Sequence, residues 1–236
     1  MALGRAVLLP LLAALLAVGS GTAHAADLTP QAIISALRSD PSYLPNTPNY
    51  VEYQRGAEQP VSQPDRDRGM LAYFTVAVNF KTAEVTSGIT YRVFRDEASA
   101  ERYLEGISIA NNPNFKSAPG AGIFLDPYTK DDWRWRGPRP FDSAFCESFI
   151  GAGSPNLVDA RCSAQYEGRP VIVTGIRIEP VQFQGSGKDT RYLFGEEERN
   201  KQYGHAMGLL DAGMERVIEI EAGGRFSVWG SRATGV

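Results

Sequence analysis

Apolar and polar residues alternate from Met70 to Phe80 and again from Glu84 to Phe94, with Phe74, Val76, Val78 and Phe80 on one side of the first run and Val85, Ile89, Tyr91 and Val93 on one side of the second. A period of two is that of a half-buried strand, so the pair predicts a β-hairpin turning near Lys81-Thr82-Ala83. The period then lengthens: Asp96 stands as a helix cap, and Ala100, Tyr103, Leu104 and Ile107 fall at i, i+3, i+4 and i+7, the stripe of a helix lying on a sheet.

A similar order recurs further on. Tyr166-Glu167-Gly168-Arg169 reads as a tight turn, and Val171 to Ile178 as a strand with Ile172, Thr174, Ile176 and Ile178 on one side. A helix is predicted from about Arg199 to Ile220, its stripe running Tyr203, Met207, Leu210, Met214, Val217. Gly204, Gly208 and Gly213 interrupt it, each costing roughly 1 kcal/mol relative to alanine. Tertiary packing must therefore hold this helix, and glycines at such spacing allow it to approach a strand closely.

Between these units, Phe145 to Ile150 and Leu157 to Cys162 flank the turn formers Gly151-Ala152-Gly153-Ser154-Pro155-Asn156. Strands folded about residue 154 set Cys146 opposite Cys162, and directly opposed residues of an antiparallel pair lie close enough for a disulfide. The chain has only these two cysteines. The pairing is expected to be structural, because a redox-active pair is more often C-x-x-C with an acidic thiol at a helix start.

Elsewhere, Thr29 as N-cap and Pro30 at the first position open a short helix whose apolar face is Ile33, Ala36 and Leu37. Pro41 to Arg68 reads as an ordered polar, proline-rich meander carrying Tyr43, Tyr50 and Tyr53, and Arg225 to Trp229 as a short edge strand. The fold class expected is α+β: an antiparallel sheet with helices packed on one face, built from two strand-strand-helix units. Residues 26–236 would form one domain, divided into 26–68 (first helix and meander), 69–110 (first unit), 111–143 (a long loop) and 144–222 (second unit with the cysteine hairpin).

The first 25 residues change the picture of where this body works. Arg5 is their only charge, Ala6 to Val18 is almost wholly apolar, and small residues lead to Ala23-His24-Ala25. This is the layout of a secretory signal peptide cut after Ala25, leaving 211 of 236 residues. The apolar run is too short for a membrane-spanning helix, which needs about 20 residues, so no stable membrane span is expected. Richness in Ala, 19 Arg against 5 Lys, and the lack of an N-x-[ST] acceptor point to bacterial export, hence to the periplasm or the medium.

Charge and residue chemistry narrow the function classes. The net charge of −3 gives no basic excess, so nucleic acid is not an expected partner. Beyond the signal there is one histidine, His205, and no G-x-S-x-G elbow, so neither a catalytic residue nor a metal or cofactor site is assigned. Gly185-Ser186-Gly187-Lys188-Asp189 departs from a phosphate loop, with Gln182 where the first glycine belongs and Asp189 where Ser or Thr belongs. Asp65-Arg66-Asp67 lacks the spaced oxygen ligands of a calcium loop. Glu196-Glu197-Glu198 is charge suited to a helix start.

Residues 111–143 carry the main candidate for binding. The stretch is rich in Pro and Gly and sets Phe124, Tyr128, Trp133, Trp135 and Phe141 beside Lys130, Arg134, Arg136 and Arg139. If extended, Asp132 to Arg136 places both tryptophans on one side and both arginines on the other, a platform for a sugar or peptide flanked by anion contacts; the competing reading is that the tryptophans cover the sheet. Tyr128, Trp133, Arg134, Trp135, Arg136 and Arg139 are the candidate ligand-binding residues. The function expected is a non-enzymatic binding or interaction module for an envelope component or a protein partner. The alternatives are a hydrolase of envelope polymers using Asp131, Asp132 or Glu196 to Glu198, and a secreted protein whose task is assembly.

Overall fold

The computed structural model describes residues 28–39, 50–53, 56–80, 86–129, 141, 143–166, 168–186 and 189–222. In chain order the elements are α1 (Pro30–Ser39), β1 (Tyr50–Tyr53), β2 (Ala57–Gln59), α2 (Gln63–Asp67), β3 (Met70–Phe80), β4 (Thr86–Phe94), α3 (Glu97–Gly106) and a 3-10 turn (Ile109–Asn111). They continue with β5 (Ile123–Thr129), β6 (Ser143–Phe149), β7 (Leu157–Gln165), β8 (Val171–Pro180), β9 (Phe183–Gln184), β10 (Arg191–Tyr192) and α4 (Glu196–Glu221).

The main sheet is antiparallel and runs β1-β3-β4-β8-β7-β6-β5, with β2 also paired to β3, while β9 and β10 form a separate ribbon. The expected α+β class with an antiparallel sheet is what the chain adopts, but its helices lie on both faces rather than one, because Ile172 and Phe94 give the second face an apolar patch for α3. Both strand-strand-helix units are present, β3-β4-α3 and β7-β8-α4, and they join through β4 and β8, where Thr90 pairs with Thr174.

Side-chain parity then decides which residues meet which helix. Phe74, Val76, Ile89, Tyr91, Val171 and Val173 point to one face and form the principal core with Tyr203, Ala206, Leu210, Met214 and Val217 of α4 and Ile33 and Leu37 of α1. The opposite face is covered at one end by α3, where Met70, Phe94, Ala100 and Ile172 make a smaller cluster with Tyr73, Tyr103 and Leu104.

Two glycines set how closely α4 lies on the sheet. A β-carbon on Gly175 of β8 would collide with the Ala206 carbonyl and stand 2.5 Å from the Leu210 nitrogen; one on Gly213 would strike Val173 and come within 2.8 Å of Ile89. Gly204 and Gly208 face open space. Of the three helix glycines, only Gly213 allows the close approach.

Every β6–β7 pair is symmetric about residue 154, from Ala144 with Ala164 to Phe149 with Asp159. Cys146 and Cys162 are opposed, bonded and fully buried, with Cα atoms 4.1 Å apart. Tyr203 of α4 lies beside this bridge, its hydroxyl 3.1 Å from that of Ser148.

Two stretches contain more structure than their composition indicates. The meander from Pro41 to Arg68 holds β1, β2 and α2, and the loop at 111–143, entered by the 3-10 turn, holds β5. Strands of three or four residues are too short to show alternation and exist through their pairing with β3. Within β5, Pro127 reads as a strand breaker, yet among the described residues β5 stands at the edge of the sheet, where a missing N–H is tolerated. The edge strand expected at Arg225 to Trp229 lies outside the described residues. Among the described residues no helix is long and apolar enough to cross a membrane.

Candidate functional site

Of the candidate binding residues, Trp133, Arg134, Trp135, Arg136 and Arg139 lie outside the described residues, as do Asp131 and Asp132. Tyr128 belongs to β5, where its backbone pairs with Ala144. Glu196 to Glu198 occupy the first turn of α4, and Glu198 accepts the Gly195 N–H at 3.1 Å, a capping contact. His205 is exposed on α4; partial shielding of its ring, with Arg177 nearby, lowers its pKa.

The described residues bring a different set of groups together. Met70 opens β3 and Phe94 closes β4, and these two positions are cross-strand partners. Whatever immediately precedes β3 is therefore set beside whatever follows β4. Arg68 is the C-cap of α2 and Arg95 leads into α3, so antiparallel pairing makes neighbours of side chains 27 positions apart in sequence.

Gly69 draws this junction tight. Its φ of +95° lies in the left-handed region that favours glycine, and a β-carbon there would sit 2.8 Å from the Ser99 hydroxyl and 3.2 Å from Arg95 Nε. Arg95 N–H donates to the Gly69 carbonyl at 2.9 Å, tying α3 to the start of β3. Asp96 caps α3 by accepting from Ser99 N–H at 2.7 Å. The Ser99 hydroxyl first and the Ser99 N–H second hold the Asp96 carboxyl below its usual pKa, with Arg95 contributing less.

Around this junction is a cleft of about 320 Å³ lined by Arg68, Arg95, Arg102, Ser99, Tyr103 and Asp67. The Ser99 hydroxyl, on a residue only 1% exposed, accepts from Arg95 Nε at 3.3 Å and from Arg102 Nη2 at 3.4 Å. Arg102 is further fixed by donating to the Ala98 carbonyl at 3.1 Å. Two guanidiniums thus meet at one neutral oxygen, an arrangement whose mutual repulsion is on the order of 1 kcal/mol in a watery setting.

Arg95 has Asp96 as a partner at 3.1 Å. Neither Arg68 nor Arg102 is ion-paired with a carboxylate among the described residues. Burial pushes the Tyr103 phenol up in pKa, with Asp65 adding to the effect. The cleft therefore presents fixed positive charge, hydroxyls, and the Asp67 carboxylate, which accepts from Gln63 at 2.8 Å. Such groups bind anions.

Other arginines on the same side of the sheet are already engaged. Thr75, Thr90, Thr174 and Ser163 form a row of hydroxyls across β3, β4, β8 and β7. Arg92 donates to Thr90 and Thr174 at 3.0 and 3.1 Å and stacks over the Tyr73 ring. Arg161 holds Asp159 through two bonds of 2.9 and 2.7 Å. Beside it, Glu147 is 3% exposed and accepts from Ser108 Oγ at 3.0 Å and Ile109 N–H at 2.8 Å, so it anchors the 3-10 turn to β6. A second hollow, about 270 Å³, lies between Phe149, Leu157 and Ile178, and its one carboxylate, Asp159, is held by Arg161.

Sequence reasoning passed over the arginine cleft because Arg68, Arg95 and Arg102 belong to no compact motif. The available signal was positional: basic residues just before one strand of a predicted hairpin and just after the next must lie at the same end of it. Among the described residues no group of His, Cys, Asp and Glu side chains could hold a metal ion.

No family model matches the chain, and no curated protein matches it. Among solved structures, the crystal structure of the extracellular domain of PknH from Mycobacterium tuberculosis aligns over 71% of this chain and 84% of that one, at 12% identity and a TM-score of 0.37. That likeness is too loose to assign this chain a fold family or a function.

Proposed function

We propose that this chain is an exported, non-enzymatic binding module that takes an anionic ligand at the cleft between α2 and α3. The observation that carries the reading is the convergence of Arg95 and Arg102 on the single hydroxyl of Ser99, with Arg68 beside them and no carboxylate on Arg68 or Arg102 among the described residues. Export is supported by the apolar N-terminal segment ending Ala23-His24-Ala25 and by the buried Cys146–Cys162 bond, which an oxidising space such as the periplasm or the medium maintains. The aromatic and basic residues from Tyr128 to Arg139 serve as a second contact surface, for an envelope component or a protein partner.

Thermal-shift measurements on the purified chain against matched anionic and neutral small molecules test the cleft. Anions should raise the midpoint, less so in 0.5 M salt, where the Debye length falls to a few Å. The double variant Arg68→Gln/Arg102→Gln should lose the response. Stabilisation by neutral compounds that survives the double variant would contradict the reading.

A further inference from the structure

On the reading that the cleft between α2 and α3 is the ligand site, we infer that its ligand is a small polyol carrying a phosphomonoester. The number and the kind of donors carry the step. A guanidinium presents paired N–H groups in a planar fork, and a carboxylate, with two oxygens in one plane, matches one such fork and offers its further acceptor sites only in that plane. A phosphomonoester has three terminal oxygens pointing in three directions. It can accept from Arg68, Arg95 and Arg102 at once, which all border the same cleft.

Two of these three are held in place before any ligand arrives. Arg95 and Arg102 are both fixed on Ser99, whose residue is almost fully buried, and the Gly69 carbonyl holds the Arg95 backbone. Preset donors order fewer side chains on binding, which favours affinity.

The remaining features describe what is attached to the phosphoryl group. A cleft of about 320 Å³ is far larger than an oxyanion alone, and Asp67 on its wall would repel a bare one. A carboxylate beside three arginines is suited to accept hydroxyl hydrogens from the same molecule. Tyr103, partly buried against Phe94 with ring centroids 5.0 Å apart, offers a flat apolar wall for a carbon skeleton. Phosphoryl group and hydroxylated carrier thus both find complementary groups in one cleft.

Titration calorimetry with the disulfide-intact chain tests this, using glucose 6-phosphate, glycerol 3-phosphate, glucose, glucuronate and inorganic phosphate as probes. At least one of the phosphorylated polyols should bind roughly tenfold or more tightly than inorganic phosphate or glucuronate, and glucose should not bind. Arg102→Gln and Arg68→Gln should each weaken that binding by roughly tenfold or more, and Arg102→Lys, which keeps charge without the fork, by a lesser factor. Asp67→Asn should weaken the phosphorylated polyol while leaving or improving inorganic phosphate.

Glucuronate binding as tightly as the phosphorylated polyols, with the same dependence on the arginines, would overturn the phosphoryl assignment and leave the anion-binding module standing. Inorganic phosphate equalling both polyols would overturn the polyol half. No binding by any probe, or binding indifferent to the arginine variants, would overturn this inference and the proposed function together. Circular dichroism of each variant establishes that the fold is retained, since all three arginine side chains are on the cleft surface.

Discussion

Gly175 of β8 and Ala206 of α4 meet backbone to backbone: any β-carbon on Gly175 would collide with the Ala206 carbonyl and press on the Leu210 nitrogen. The helix is therefore seated by an absence of side chain in the strand. Gly175→Ala is expected to cost about 3 kcal/mol or more, since overpacking against backbone leaves little room to relax. Gly208→Ala, facing open space on the same helix, should stabilise by up to about 1 kcal/mol. Urea denaturation of both variants checks the contrast, and similar effects at the two sites would refute it.

The Cys146–Cys162 bond closes a loop of 16 positions within a pair of central strands. Replacing both cysteines by alanine is expected to lower stability by about 3 kcal/mol on the chain-entropy account, plus the effect of the lost buried volume. Denaturation midpoints with and without reductant should reproduce most of that loss for the native chain and none for the variant. An unchanged midpoint on reduction would show that the bond contributes nothing.

Glu147 makes stability depend on pH with a defined sign. Burial pushes its carboxyl above the usual glutamate pKa, an effect only partly offset by the N–H of Ile109, the hydroxyl of Ser108 and the nearby Arg161, while Asp159 adds to it. The folded state thus holds this proton more tightly than the unfolded one. The contribution is favourable below the ordinary glutamate value and is lost as pH rises through the raised one. Glu147→Gln should remove this slope, so the native chain loses stability relative to the variant from about pH 4 upward. Parallel stability curves for the two proteins would contradict the assignment.

Trp133 and Trp135 provide a test of the second contact surface. Their joint replacement by alanine should abolish partner capture from envelope extracts and leave the thermal midpoint within a degree or two, as for surface substitutions. A large fall in the midpoint would mark them as core residues and remove this surface from the account.

Much of the fold was legible because it rests on local periodicity. The β3–β4 hairpin, the Asp96 cap and the α4 stripe all follow from spacing, and the Cys146–Cys162 register follows from symmetry about a turn. Elements that depend on a distant partner were not. Strands β1 and β2 exist by pairing with β3, β5 conceals itself behind Pro127, and the role of Gly175 is visible only once α4 is laid over it. The cleft falls in this second class, since Arg68 and Arg102 become neighbours through the Met70–Phe94 pairing and the turn at Gly69.

The most direct test of an anion-binding cleft is to follow the arginine side-chain Nε–Hε resonances of the isotope-labelled chain by NMR while glycerol 3-phosphate is added. The signals of Arg68, Arg95 and Arg102 should shift together along one binding curve, with Arg92 and Arg161 unmoved. Static signals at those three, or shifts confined to Arg134, Arg136 and Arg139, would contradict the account.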